Sequence, residues 1–241
     1  MPDWLTSRPI AHRGLHDAAG GVIENTPSAF RAAAAGNYAI ECDLQISADG
    51  EAMVHHDDAL GRLTEGTDRL DTMPAAELTR VAFKGTSDRM MTLGELCDLA
   101  AGRVTLLVEL KSRFDGDHRL AVRTAQVLAG YRGPVAIMSF DPGPVGAMRD
   151  LAPSLFRGLV AQKPGTAAEE PSVSTTSYLM QALTARVQFL AYRVQDLPSA
   201  LPQLTRNVLR RPLLTWTVRT EAERIRAANY ADQMIFEGFR P

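Results

Sequence analysis

The chain is poor in the features that would settle its class at once. It has only two cysteines, Cys42 and Cys97, in 241 residues. They show neither the CxxC spacing nor the Cys/His pairing of a zinc site, and two thiols cannot make a disulfide framework. No run approaches the about 18 apolar residues of a membrane span. The N-terminal stretch MPDWLTSRPIAHRG lacks a basic segment followed by an apolar one, so no signal peptide is read and the expected compartment is the cytoplasm. Neither sign of charge is in excess: 26 Lys+Arg face 28 Asp+Glu, for a net charge of −2. Without a clustered basic footprint, nucleic acid is not an expected partner. Gly and Pro number 18 and 14, with no Pro/Gly/Ser-rich linker dividing the chain.

What is present is an alternation of short apolar runs with helical patterns. Strands are expected at Pro9–His12, Ala39–Ile46, Ala52–His56, Val104–Lys111, Val135–Phe140, Leu155–Val160, Val187–Tyr192, Leu213–Val218 and Gln233–Phe236. Helices are expected between them, the first capped by Thr26 with Pro27 behind it and stopped at Gly36. The turn Ala48-Asp49-Gly50 makes the second and third runs a hairpin. Setting the hairpin strand aside leaves about eight βα steps, the number a (β/α)8 barrel needs. The expected architecture is one α/β domain over residues 1–241, a TIM-type barrel with residues 47–89 inserted after the second strand. Lys163–Ser177 has the composition of a βα loop. The chain ends a few residues after the last strand, with no room for a closing helix. Either the strand count is off by one, or the seam lacks its cover and offers an apolar patch to a second copy, a possible homodimer.

Polar residues gather where strands end, and barrel enzymes carry their chemistry at that end. His12-Arg13-Gly14 alone is equally a surface turn. Glu41 and Asp43 share one face of a strand whose other face carries Ile40, Cys42 and Leu44. Directed inward they need a cation or basic groups beside them; directed outward they are a solvated strand edge. Glu109 and Lys111 likewise share a face, opposite Val108 and Leu110. In His55-His56-Asp57 only one imidazole can easily face the same site, and the turn at Asp49-Gly50 breaks the phase that would say which. Hard oxygen donors without thiolates select Mg²⁺ or Ca²⁺ over zinc. With imidazoles for proton transfer and Arg and Lys for phosphoryl charge, the set fits metal-assisted hydrolysis of a phosphate ester.

The segments IAHRG, ENTPSAF, AIECDLQISADG, MVHHD with LGRLT behind it, LVELK, SFDP and LTWTV closely resemble the glycerophosphodiester phosphodiesterase family, in its order and spacing from residue 10 to about 218. The resemblance implies hydrolysis of a glycerophosphodiester to glycerol 3-phosphate and an alcohol with a divalent cation. It implies His12 and His56 as the acid/base pair, with His55 as a structural neighbour, and Glu41, Asp43 and Glu109 as metal ligands. It sets Arg13 and Lys111 near the phosphate, and Phe140 and Trp216 are candidate substrate contacts. Three departures stand out. Arg219 follows WTV where the family commonly has Asn, and is expected to pair with Glu221. The usual Thr-Asp-x-Pro ending is replaced by Phe236-Glu237-Gly238-Phe239-Arg240-Pro241. The loop Leu15–Ile23 adds His16, expected to be exposed. Rival readings are a lysophospholipase D-like or phosphoinositide-type diesterase with an apolar mouth drawn from Trp4, Phe114, Phe140, Tyr178 and Trp216. Others are an inactive binding relative, and an isomerase or aldolase, which the carboxylate beside Lys111 disfavours.

Overall fold

The computed structural model describes residues 3–163 and 175–241, with the backbone alone at 175–179. Nine strands form: β1 (Ile10–Ala11), β2 (Ala39–Ile46), β3 (Ala52–Val54), β4 (Leu106–Leu110), β5 (Val135–Ser139), β6 (Phe156–Ala161), β7 (Phe189–Arg193), β8 (Leu213–Val218) and β9 (Gln233–Phe236). Eight of them run parallel in the order β1-β2-β4-β5-β6-β7-β8-β9, and β1 pairs with both β2 and β9, so the sheet closes into a barrel. β3 is the exception, antiparallel on β2 through Leu44↔Val54 and Ile46↔Ala52. The helices are α1 (Pro27–Ala35), α2 (Ala75–Leu78), α3 (Leu93–Ala100), α4 (Arg119–Leu128), α5 (Pro142–Leu151), α6 (Thr175–Thr184), α7 (Ala200–Gln203) and α8 (Glu221–Tyr230). α7 continues into a π-helical stretch, Leu204–Val208. The expected Lys163–Ser177 loop falls mainly on 164–174, outside the described residues, as does the side chain of Tyr178.

Helix starts follow from local chemistry. Thr26 accepts from the Ala29 amide with Pro27 in the first turn, and Thr92/Glu95 and Thr220/Glu223 form reciprocal capping boxes on α3 and α8. Strand alternation then separates two apolar layers. Ile40, Cys42, Leu44, Val108 and Leu110 face outward under the helices. Ile10, Ala39, Leu107, Ala136, Val160, Phe189, Leu214 and Ile235 face inward and fill the lower barrel, with Leu5 beneath them. Trp4 packs on this floor, edge-on to Phe156 at 6.0 Å, and its carbonyl accepts from Thr105. It therefore sits at the opposite end from the mouth, and its place among the mouth aromatics is corrected.

One glycine is required by that floor. Phe156 and Phe189 stack 5.6 Å apart at 11°, and a Cβ at Gly158 would run into the Phe189 ring. Gly158→Ala is expected to destabilise the protein by about 1–3 kcal/mol through overpacking, read as a fall in the urea midpoint with an unchanged slope. An unchanged midpoint would mean that the floor can rearrange.

Among the described residues the seam between β9 and β1 lacks a closing helix, one of the two alternatives the sequence leaves open, yet it is not bare. Phe236 is fully buried, with Tyr38 edge-on at 5.1 Å and Phe239 tilted against it at 5.4 Å. The Tyr38 hydroxyl reaches the Pro241 carbonyl at 3.3 Å. The last residues supply aromatic cover in place of a helix. Exposed large apolar groups lie elsewhere, among them Leu183, Val208 and Leu209. Residues 47–89 gather round a small core of their own: Met53, Leu60, Leu70, Leu78 and Phe83, shared with Ile23 and Met90.

Candidate active site

Two residues above the apolar floor, the inward positions turn polar. In β2, Ala39 belongs to the floor, while Glu41 and Asp43 rise from it; in β4, Leu107 is floor and Glu109 stands above it. The β2–β4 register sets Asp43 beside Glu109. The three carboxylates are buried, and one oxygen from each lies within 4.8 Å of the others. Lys111 Nζ reaches Asp43 Oδ1 at 2.8 Å and Glu109 Oε1 at 2.6 Å. The Arg13 amide donates to Glu41 Oε2 at 2.8 Å, and Asn25 Nδ2 donates to Asp43 Oδ2 at 2.9 Å.

Arg13 and Asn25 both adopt left-handed backbone at φ 55, and the Asn25 amide donates to the Arg13 carbonyl. Such conformations cost about 1–3 kcal/mol for a residue other than glycine, and the contacts they make with Asp43 and Glu41 offset that strain. Gly14 follows at φ 80, where a Cβ would press on the backbone of Ala29 in α1.

The cluster's charges do not balance evenly. Burial and the repulsion of Asp43 and Glu109 push the Glu41 carboxyl well above its usual range. Asp43 is also buried, but Lys111 and Arg13 outweigh that and hold it well below the usual range. Glu41 is thus the carboxylate most in need of a further cation. Three hard oxygen donors with this deficit fit a divalent metal ion.

Each histidine at the mouth is tied through Nδ1 to a carboxylate. His12 follows β1, its amide bonded to the Phe236 carbonyl, and its Nδ1 lies 2.6 Å from Glu237 Oε2. Arg219 Nε donates to the other oxygen of Glu237 at 2.7 Å. His56 follows β3, with Nδ1 2.8 Å from Asp57 Oδ1, and Asp57 accepts from Arg62 Nε at 2.6 Å. Arg62 and Arg13 both hold Glu24, at 2.8 and 2.6 Å. Burial raises and the Arg62 and His56 contacts lower the Asp57 carboxyl, which ends near about 2. Burial, with repulsion from Arg13, lowers the His12 imidazole despite Glu237.

The nine residues expected as acid/base pair, metal ligands, phosphate partners and substrate contacts line one cavity of about 400 Å³: His12, Arg13, Glu41, Asp43, His56, Glu109, Lys111, Phe140 and Trp216. Phe140 and Trp216 meet edge-to-face at 5.4 Å. Phe114 is not part of that lining. Two expectations are corrected. Arg219 pairs with Glu237, because Glu221 is taken by Arg224 at 2.6 Å. His16 is half-buried, with Nε2 3.8 Å from Glu237. Asn25 and Glu237 were missed. Asn25 stood inside a helix-start signal that masked it. Glu237 continues the inward phase Gln233, Ile235, Glu237 of β9, a signal that could have found it.

His55 is buried edge-on to Phe83, and its Nδ1 has no hydrogen-bond partner among the described residues. Burial, helped by repulsion from Arg62 and His56, lowers its pKa from 6.5 to about 4, against the attraction of Asp57 and Asp43. Between those values the unfolded chain binds a proton that the native one refuses. The contribution of His55 is complete above pH 6.5 and lost as pH falls towards 4, about 3 kcal/mol in all. His55→Leu is expected to flatten the urea stability profile over that window; an unchanged slope would contradict the assignment.

The glycerophosphoryl diester phosphodiesterase family model matches residues 12–238. Bacillus subtilis YhdW is 31% identical over 164 residues, covering 64% of this chain and 65% of that one. The glycerophosphodiester phosphodiesterase of Caldanaerobacter subterraneus is 29% identical over 164 residues, 64% of this chain and 66% of that one. The matched region thus spans slightly under two thirds of these curated relatives. Among solved structures, an Oleispira antarctica phosphodiesterase in complex with its product sn-glycerol-3-phosphate superposes with a TM-score of 0.80 at 21% identity, over 97% of this chain and 94% of that one. The Thermotoga maritima glycerophosphodiester phosphodiesterase gives 0.72 at 19%, over 94% and 92%. With the barrel, the acidic cluster and nearly the whole chain matched, the protein belongs to the glycerophosphoryl diester phosphodiesterase family.

Proposed function

We propose that the chain hydrolyses glycerophosphodiesters to glycerol 3-phosphate and an alcohol, with His12 and His56 as the acid/base pair and a divalent cation held by Glu41, Asp43 and Glu109. The observation that carries the reading is that both imidazoles and all three carboxylates line one cavity of about 400 Å³. The name of the Caldanaerobacter relative and the product bound to the Oleispira enzyme point to the same substrate class. The donors are all carboxylates, so Mg²⁺ or Ca²⁺ is the expected ion. When bound, such an ion supplies Lewis-acid stabilisation of phosphoryl charge.

The chain's own residues do the rest. Asp57 and Glu237 are ionised, so each neutral histidine keeps its proton on Nδ1 and presents Nε2 as a base. One imidazole takes the proton of the attacking oxygen, and the other, protonated, returns one to the leaving alkoxide. Lys111 and Arg13 orient Asp43 and Glu109 and add positive charge where phosphoryl oxygens gather. Phe140 and Trp216 give the glycerol or alcohol moiety an apolar wall that excludes water.

The test is a panel of glycerophosphodiesters assayed for glycerol 3-phosphate, with and without EDTA. Turnover that chelation removes and Mg²⁺ or Ca²⁺ restores is expected. No turnover, or indifference to EDTA, overturns the reading; preference for lysophospholipids redirects it to another diester class.

A further inference from the structure

Two of the three departures from the family's sequence pattern, Arg219 and the ending that carries Glu237, lie 18 residues apart in the chain and meet in space beside His12. We infer that Glu237 is a positioning residue for His12, with Arg219 as its counter-charge. The inference rests on the reading of His12 as half of the acid/base pair.

The geometry is that of an orienting carboxylate. Glu237 reaches across 225 residues of chain to accept from His12 Nδ1 at 2.6 Å. Its other oxygen accepts from Arg219 Nε at 2.7 Å, so neither oxygen is left to turn the carboxylate away. The backbone is fixed as well: the Glu237 amide donates to the Val218 carbonyl and the His12 amide to the Phe236 carbonyl, so both residues hang from the same closing strands. A carboxylate on Nδ1 fixes both ring orientation and tautomer, leaving Nε2 as the basic nitrogen.

The same construction recurs at the second histidine. Asp57 takes His56 Nδ1 and is held in turn by Arg62, making a His–carboxylate–Arg series on each side of the acidic cluster. At His56 the carboxylate is the next residue, so the arrangement is local. At His12 the preceding loop supplies no equivalent: His12 is followed by Arg13, whose guanidinium is committed to Glu24 and Asp43. The partner must come from the far end of the barrel closure, which β9 supplies two residues above Ile235. A surface ion pair would explain Arg219 with Glu237 but not the placement of His12 Nδ1 on the remaining oxygen. Glu237 is only one-fifth exposed.

The experiment uses full-length Glu237→Gln, Glu237→Asp and Arg219→Gln, with ¹⁵N-histidine NMR and steady-state kinetics under saturating cation. In the wild type, neutral His12 is expected as the Nδ1–H tautomer. Glu237→Gln, whose amide can also donate to Nδ1, is expected to shift His12 towards Nε2–H. It should lower kcat about 10- to 100-fold, within what a general acid or base supplies, with KM changed less than about threefold. Glu237→Asp should recover part of kcat, and Arg219→Gln should move both readouts in the same direction by less. An unchanged His12 tautomer in a folded Glu237→Gln protein overturns the inference, as does unchanged kcat in an active one. If the wild type proves inactive on every diester, the catalytic reading fails, while the tautomer still decides whether Glu237 sets His12.

Discussion

Replacing either His12 or His56 with alanine is expected to lower kcat by about 10²–10⁴-fold while the fold persists. The barrel does not depend on either ring. His12 and His56 stand above the apolar floor with 14% and 32% of their side chains exposed, and neither belongs to a core cluster. Removing His12 leaves Glu237 still paired with Arg219, and removing His56 leaves Asp57 with Arg62, so no buried charge is orphaned. Stability should therefore change by no more than about 1.5 kcal/mol, the range for losing one hydrogen bond with no partner left unsatisfied. The double variant should be little worse than the poorer single one, because an acid and a base serving one displacement act as a unit. The check is kcat with saturating cation beside thermal unfolding. Near-normal turnover in both single variants would sink the acid/base assignment, and unfolding in either would show that the rings carry structure.

Much of the fold was legible because the barrel writes its alternation into each strand. Ala39–Ile46 reads as two faces, and those faces are the outer apolar layer and the inner acidic one. The same reasoning paired Glu109 with Lys111. Legibility fell where a residue's partner is distant in sequence. The carboxylate of His56 is its neighbour, whereas that of His12 lies 225 residues away. Arg219 was read against Glu221 because helix-start neighbours are the local choice, yet Arg224 one turn on takes that carboxylate. Asn25 fell inside a stretch already explained by the Thr26 cap, and one local explanation hid a second function. Trp4 is not placed by its sequence at all: an aromatic carries no sign of which barrel end it serves until Leu5 and Phe156 are seen beside it. The lack of a closing helix after the last strand is legible in the sequence, but periodicity cannot announce that Tyr38 and Phe239 cover the seam from loops instead.

Lys111→Met is expected to destabilise the cation-free protein by about 3–5 kcal/mol, the range for removing one partner of a buried ion pair. Among the described residues, Lys111 Nζ is the only side-chain cation within bonding distance of both Asp43 and Glu109. Its own pKa is raised: burial opposes the charge, but those two carboxylates more than restore it. Methionine fills a similar volume without the charge, leaving Asp43 with Asn25 and Arg13 and leaving Glu109 uncompensated. The two carboxylates and Glu41 would then repel one another with less between them. A divalent ion on these three oxygens answers the same deficit, and a ligand that binds only the native state adds stability by mass action. The deficit left in EDTA should shrink as Mg²⁺ or Ca²⁺ is added, and the shift in Tm per added cation should be larger for the variant than for the wild type. Urea denaturation in EDTA and with added cation measures the first, and thermal unfolding across a cation series the second. Equal stability of variant and wild type in EDTA would mean that the carboxylates do not depend on Lys111. A deficit that cation leaves untouched would mean that Glu41, Asp43 and Glu109 do not share an ion.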